Sequence, residues 1–407
     1  MAVLFLFAVF VLSAGFAKLM AMWVNWICAH RIAKKLVVAD KGLNLGLIVA
    51  YPVLLLYGLG WHGPGLLTGG SSWHFDAVWW LPIALGAIGF VLLIAATIGN
   101  RRYRPPPCEL SVASTIVDLR NGTYGQSWRT VFVGKRGRKR RVALLPGNEQ
   151  FTIDVSTKAY QLPRLPAHWD GLTIVHLSDL HFYGGVTRAY FEIVCDQAAA
   201  LRPDIFVFSG DLLDNQARLD WLPETLGRLQ APLGKFFVLG NHDWYLDPDA
   251  TRLALVRLGW TDLSRGFVNL ASPNRPEGSP LLLCGDETPW MGDHADLTGA
   301  PVDAFRILVS HTPDNITWAR KQRIGLMLSG HTHGGQIRLP ILGPVYSPSV
   351  FGCRFASGVF WLDPTLMYVS RGISGRDPIR YNCPPEVTKL LLKSGESGHT
   401  TPAGMAR

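Results

Sequence analysis

Five times between residues 172 and 333, a short apolar run ends in serine or glycine and then in aspartate, asparagine or histidine. The runs are 172–177, 205–209, 235–239, 306–309 and 324–329. Each has the length of a buried strand. The groups that follow them are Asp179 and His181, Asp211 and Asp214, Asn241, His242 and Asp243, His311, and His331 with His333. Helical spacing over 187–201 separates the first two runs. Alternation of this kind predicts an α/β fold, a sheet covered by helices. Ligands of such sheets bind outside the carboxyl ends of the strands. Every motif falls at such an end, so the motifs are expected to build one site. That shared placement constrains more than any one motif. An isolated Asp-x-His is a common accident, and Gly-Asn-His-Asp alone reads equally well as a turn.

The donors are carboxylates, one amide and imidazoles, with no cysteine among them. This set suits two hard-to-borderline divalent cations side by side and does not suit a Cys-based structural zinc. Asp211 is the natural bridging carboxylate. Asp179, His181 and His333 are expected to complete a first metal, and Asn241, His311 and His331 a second. Two such ions, about 3.5–4 Å apart, clamp a phosphoryl group and bring a bridging water toward a pKa near 7. The expected chemistry is in-line attack of that hydroxide on phosphorus. His242 adjoins a ligand and reads as the catalytic group that protonates the leaving oxygen or stabilises phosphoryl charge. Asp214 and Asp243 read as orienting carboxylates behind the ligands, with solvated loop charges as the competing reading. Gly210, Gly240 and Gly330 permit tight turns, and Gly334 and Gly335 leave room for a phosphate. His176, inside the first run, reads as a core histidine, and His294 as an exposed one.

The first hundred residues are of another kind. Apolar stretches occupy 2–29, 43–60 and 77–99, the first interrupted by Lys18 and Asn25, the second containing Pro52 and the third Pro82. A helix needs about 20 apolar residues to cross a bilayer, and proline is tolerated there where neighbouring helices satisfy the freed carbonyls. Trp23, Trp26, Tyr57, Trp61, Trp79 and Trp80 cluster at the ends of the stretches, as an interfacial belt does. The first stretch has no basic leader, which argues against a cleaved signal peptide. Lys18 is expected to snorkel or to face a neighbouring helix. Three spans are expected. Lys and Arg flank the first and third stretches on one side, and 61–76 has none. The positive-inside rule then puts the amino terminus outside and everything after residue 100 in the cytoplasm, at the inner membrane.

Charge divides the same way. Residues 1–149 carry 16 Lys and Arg against 5 Asp and Glu, and residues 150–407 carry 23 against 25. The motif-bearing part is slightly acidic, so no nucleic-acid partner is expected. The six cysteines are scattered with no Cys-x-x-Cys pair, as free thiols in a reducing compartment are. Residues 105–149 read as a Pro-rich and basic linker, from the prolines at 105–107 to the basic run 135–141. Three roles compete for that run: adhesion to an anionic leaflet at about 1 kcal/mol per basic residue, recognition of an anionic lipid, and nucleic-acid binding. Residues 150–395 read as the catalytic domain and 396–407 as a flexible tail.

At these motifs the chain resembles the calcineurin-like metallophosphoesterases. All five blocks match in order over roughly 150–395. The resemblance implies a four-layer α/β/β/α sandwich and a dinuclear centre of manganese, iron or zinc. It agrees with Asp179, His181, Asp211, Asn241, His311, His331 and His333 as ligands and with His242 as the catalytic histidine. Three stretches, 330–340, 368–372 and 378–385, resemble a membrane-associated bacterial subgroup, similar to the transmembrane proteins with a metallophosphoesterase domain. Relatives in that wider group are linked to cleavage of the pyrophosphate in UDP-2,3-diacylglucosamine, a lipid A precursor. The expected function is a membrane-anchored phosphoesterase acting on a phosphodiester or pyrophosphate bond of an amphiphilic, lipid-linked substrate. Two alternatives stand beside it: a membrane-localised phosphodiesterase for a soluble nucleotide, and a non-catalytic membrane scaffold.

Overall fold

The computed structural model describes all residues except 71, 72, 74, 75, 136, 184, 265, 272–278 and 396–407. The expected tail lies outside the described residues, as does Arg136 of the basic run. The chain divides into two compact units. The first comprises Met1–Arg104, Thr332–Ala356 and Tyr381–Cys383, and the second the remainder.

The first unit is built on α1 (Ala2–Cys28), α2 (Lys34–Leu55) and α3 (Trp80–Arg101). All three are long and apolar enough to cross a membrane. The second begins nine residues before the apolar stretch does, at Lys34, and passes through a π-helical turn at Leu56–Trp61. Small residues let the first and third helices meet closely: a Cβ added to Gly15 would lie 1.9 Å from the Gly86 carbonyl oxygen. Phe16 stacks on Tyr51 at 4.2 Å, and the Tyr51 hydroxyl donates to the Pro82 carbonyl at 2.7 Å. Outward-facing Val3, Phe7, Phe10, Leu45, Val49 and Val91 are exposed, as lipid-facing side chains are. Asn25 and Asn100, near the ends of α1 and α3, hold the 332–356 excursion. The Ser347 amide donates to Asn25 Oδ1 at 3.0 Å, and Asn100 Nδ2 donates to the Leu342 carbonyl at 3.3 Å. The polar break in the first apolar stretch therefore has a partner.

The second unit contains two mixed sheets. The first is ordered β1 (Glu109–Asp118), β2 (Thr152–Leu162), β15 (Glu386–Ser394), β3 (Leu172–Leu177), β4 (Ile205–Ser209), β5 (Lys235–Val238) and β6 (Thr261–Asp262). The second is ordered β13 (Gly358–Leu362), β14 (Thr365–Val369), β10 (Leu326–Ser329), β9 (Phe305–Ser310), β8 (Leu281–Asp286) and β7 (Phe267–Leu270). A two-stranded pair, β11 (Arg338–Leu339) with β12 (Gly343–Pro344), lies in the first unit. Side chains alternate across a strand, and here each face has its own core. Ile174, Val207 and Val238 meet Leu283, Ile307, Leu328 and Leu366 of the opposite sheet. Val175, Phe206, Phe208 and Phe237 pack against Tyr190, Phe191 and Val194 of a helix at Arg188–Ala200.

Residues 105–149 form no extended spacer. They contribute β1, which pairs antiparallel with β2 from Ser111–Ala159 to Asp118–Thr152, and short helices at Trp128–Phe132 and Arg138–Ala143. The physical reason is that strand hydrogen bonding needs no apolar alternation at an edge, and β1 is exposed along most of its length. All six cysteines are free.

Candidate metal centre

Strands β3, β4 and β5 are parallel neighbours in one sheet, and β8, β9 and β10 in the other. Their carboxyl ends deliver Asp179 and His181, Asp211 and Asp214, Asn241 to Asp243, His311, and His331. The backbone turns sharply to do so. Asp179, His181, Asp211 and His331 all have φ between +49° and +70°. Left-handed backbone is costly for non-glycine residues and persists only where the surroundings enforce it. Gly210, at φ +97°, cannot be otherwise: a Cβ there would lie 2.8 Å from His311 Nδ1. His333 opens a 3-10 turn two residues beyond His331, also with positive φ, at the start of the excursion that belongs to the first unit. Gly334 and Gly335 follow it, buried and left-handed.

Asp211 stands at the centre. It is 1% exposed. Its Oδ1 lies 3.3 Å from His311 Nε2 and accepts the His242 amide at 2.9 Å. Its Oδ2 lies 3.4 Å from His181 Nε2 and has no hydrogen-bond partner among the described residues. Thus each oxygen faces a different cluster. Asp179, His181 and Asp211 offer ligand atoms within 4.8 Å of one another, and so do Asp211, His311 and His331. The second cluster also includes Asn241, whose Oδ1 is 3.1 Å from His311 Nε2, and His331 Nδ1 is 3.1 Å from the same nitrogen. Burial alone pushes a carboxyl up. In Asp211 the imidazoles of His311, His242 and His181 outweigh it and hold the group well below the ordinary range. Burial in turn works against His311, yet Asp211 and Asp179 raise it to about 9. A buried site that gathers imidazoles around carboxylates in this way is one that cations would occupy in place of protons.

The supporting residues are as specific. Asp214 accepts from His242 Nδ1 at 2.5 Å and lies 3.3 Å from His181 Nδ1. Burial raises it, but His242 and His181 bring it far below the usual carboxylate range. Asp243 accepts the backbone amides of Leu212, Leu213 and Gly240 at 2.9–3.0 Å, which ties the turn after Asp211 to the turn before Asn241. Burial and the nearby Asp211 charge push Asp243 up to about 6. The Ser209 carbonyl lies 2.7 Å from His311 Nδ1, which leaves Nε2 toward the cluster. His176 is buried, as expected of a core histidine, and burial lowers it to about 4.

Three features were not read from sequence. Trp290 is buried with its ring 4.7 Å from that of His331 and 5.4 Å from that of His311. Lys139 of the basic run is half-buried: its Nζ sits 3.6 Å from the Tyr183 ring centre and donates to the Arg376 carbonyl. Burial lowers its pKa against the pull of Asp214. His294 is bonded to Asp286 at 2.6 Å and stacked on Trp318, although its ring remains partly exposed as expected. None of these has a motif signature, because each becomes relevant only through the fold.

A two-sheet domain with imidazole and carboxylate clusters at the strand ends, sharing one aspartate, defines a metal-dependent phosphoester hydrolase. Residues 172–335 match the Calcineurin-like phosphoesterase family, and the chain belongs to it. It is 31% identical over 255 residues to the uncharacterized metallophosphoesterase YkuE of Bacillus subtilis, covering 60% of this chain and 87% of that one. It is 32% identical over 245 residues to the transmembrane protein with metallophosphoesterase domain of Danio rerio, covering 56% of this chain and 55% of that one. It is 28% identical over 292 residues to the UDP-2,3-diacylglucosamine pyrophosphatase LpxG of Chlamydia trachomatis, covering 58% of this chain and 88% of that one. With its three apolar helices and a transmembrane relative, the chain has the character of a membrane protein.

Proposed function

We propose that this protein is a membrane-anchored hydrolase that uses two divalent cations, manganese, iron or zinc, to cleave a phosphodiester or pyrophosphate bond in a lipid-linked substrate. The observation that carries the two-metal reading is the division of the Asp211 carboxylate between two buried donor clusters. The donors fit the ions: carboxylate, amide and imidazole groups suit borderline cations, and Asp211 Oδ2 is buried without a hydrogen bond among the described residues. Asp179 and His181, with His333 assigned by its place in the motif, would hold one ion. Asn241, His311 and His331 would hold the other, and Asp211 both. The pair would supply Lewis acidity to the phosphoryl oxygens and acidify a water. The chain's own residues do the rest. His242 is fixed through Nδ1 by Asp214, which leaves its other ring nitrogen to give a proton to the leaving oxygen. Asp243 keeps the two turns in register. Trp290 closes one side of the His311–His331 pair to water.

The substrate reading rests on the three apolar helices and on the similarity to a UDP-2,3-diacylglucosamine pyrophosphatase. The reading includes a catalytic domain on the cytoplasmic side of the inner membrane. The test uses the full chain in detergent, stripped with chelator and reloaded with manganese, beside Asp211→Asn. Release of a nucleoside monophosphate from UDP-2,3-diacylglucosamine, lost with chelator and in the variant, is the expected result. Turnover of soluble nucleotide diesters with none on the lipid would sink the substrate reading and leave the hydrolase.

A further inference from the structure

At the far end of the sandwich from the metal centre is a cavity of about 420 Å³. It lies where Phe305 begins β9, where Gly325 precedes β10 and where Pro364 precedes β14. Gly325 and Gly330 stand at opposite ends of β10, roughly 16 Å apart at strand rise. The cavity is therefore separate from the catalytic donors. Arg164, Arg320 and Arg323, all three exposed, line it with Asp363 and the half-buried Trp361.

These arginines are positioned but not neutralised. Arg164 Nη2 donates to the Arg323 carbonyl at 2.8 Å and to the Pro364 carbonyl at 3.3 Å. Arg320 Nε donates to the Asp363 carbonyl at 2.9 Å. Backbone oxygens thus fix two of the forks, and among the described residues none of the three forms an ion pair with a carboxylate. Burial, followed by repulsion from Arg323 and Arg306, lowers the pKa of Arg164, against the pull of Asp363. Three cations against one anion leave a net of two positive charges. A phosphate monoester carries close to two negative charges at neutral pH and offers three acceptor oxygens. Guanidinium forks match it in geometry as well as charge.

We propose that this cavity is a binding site for a phosphate monoester, whose phosphoryl group meets Arg164, Arg320 and Arg323 and whose organic part lies on Trp361. A free metabolite and a lipid headgroup offer the same phosphoryl chemistry. The site stands independently of the reaction at the metal centre.

The experiment is calorimetric titration of the full chain in detergent. Asp211→Asn with chelator removes the metal centre as a competing phosphate sink. The probes are phenyl phosphate for a free ester and dihexanoyl phosphatidic acid for a headgroup, with phenol as the control. Binding of either phosphate, at least tenfold weaker in Arg164→Gln/Arg323→Gln and absent for phenol, is expected. The tighter probe then identifies the source. Arg320→Gln, which leaves the Arg164 anchors in place, should weaken binding at least threefold, and unchanged thermal unfolding of both variants excludes loss of fold. Equal binding by parent and variants, or no binding of either phosphate, overturns the proposal.

Discussion

Asp211 and Asp214 are only three residues apart, yet their substitutions should fail differently. Asp211→Asn keeps the size but halves the ligand capacity at the point where two clusters meet. The expected outcome is loss of at least one of two bound metals by elemental analysis, with activity lost accordingly. Asp214→Asn leaves every proposed ligand in place and weakens only the hold on His181 and His242. A loss of about 10–100-fold in metal affinity or activity is expected, as for other groups that orient ligands. His242→Ala should retain both metals and lose about 10²–10⁴ in rate on an alkyl diester. It should lose much less on bis-(p-nitrophenyl) phosphate, whose phenolate departs without a proton. An equal loss on both substrates would exclude His242 as the acid. At this scale most of the side chains that the structure gathers into the two clusters were legible in the sequence, because ligand chemistry demands particular side chains just past strands. Asp243 was legible as an orienting carboxylate but not in which groups it holds, since the amides it accepts belong to two separate turns. Trp290 was not legible at all: an aromatic side chain is ordinary core material until the fold sets it against two histidines.

The apolar runs that end in the motifs were read correctly as strands, while other strands, among them the equally buried β8 and β14, were not. The runs that became β3, β4, β5, β9 and β10 alternate between two cores and are buried on both faces. Strand β1 mixes Leu110, Val112 and Ile116 with serine and threonine and leaves them exposed along an edge, so its apolar residues mark no buried face. Its neighbourhood also contains a charged network whose members are distant in sequence. Glu386 on β15 is buried, accepts from Arg371 Nε at 2.9 Å and from the Tyr368 hydroxyl at 2.8 Å, and lies 3.7 Å from Lys158 Nζ. Burial raises its pKa, but Arg371 and Lys158 bring it well below the ordinary 4.5. The folded state thus binds the proton less tightly than the unfolded one. The stabilisation is fully present above the unfolded pKa and is lost as pH falls from there through the folded value. Glu386→Gln should accordingly flatten the fall in thermal stability between about pH 5 and pH 3. Arg371→Met, which leaves the buried carboxylate short of its main partner, should cost about 3 kcal/mol at neutral pH. In the helical unit, Gly15→Leu should cost about 1–3 kcal/mol in detergent, because the added side chain has no space beside Gly86.

On the scale of the whole chain, the sequence divides at about residue 100, but the structure does not divide there alone. The chain leaves the phosphoesterase unit after His331, enters the helical unit for residues 332–356, and returns at Ser357. Sequence periodicity does not show this, because glycines and prolines break the apolar residues of the excursion into short, aperiodic pieces. Its hydrogen bonds to the helices include one at Asn25 and one at Asn100, polar residues near the ends of two apolar helices. A truncated chain starting at residue 105 therefore lacks the helices on which 332–356 rests. An exposed loop without its anchors is a preferred site of proteolysis. Limited trypsin digestion should cut the truncated chain at Arg338 or Arg354 while the full chain in detergent resists there. Asn25→Ala and Asn100→Ala together should move the full chain toward the truncated pattern. His333 lies at the entrance to that segment, so the truncated form should also bind manganese more weakly than the full chain. If the two forms show the same cleavage and the same metal affinity, the helices serve as an anchor and contribute nothing to the order of the excursion. If they differ, the apolar helices are part of what shapes the catalytic chain, and activity measured without them understates the enzyme.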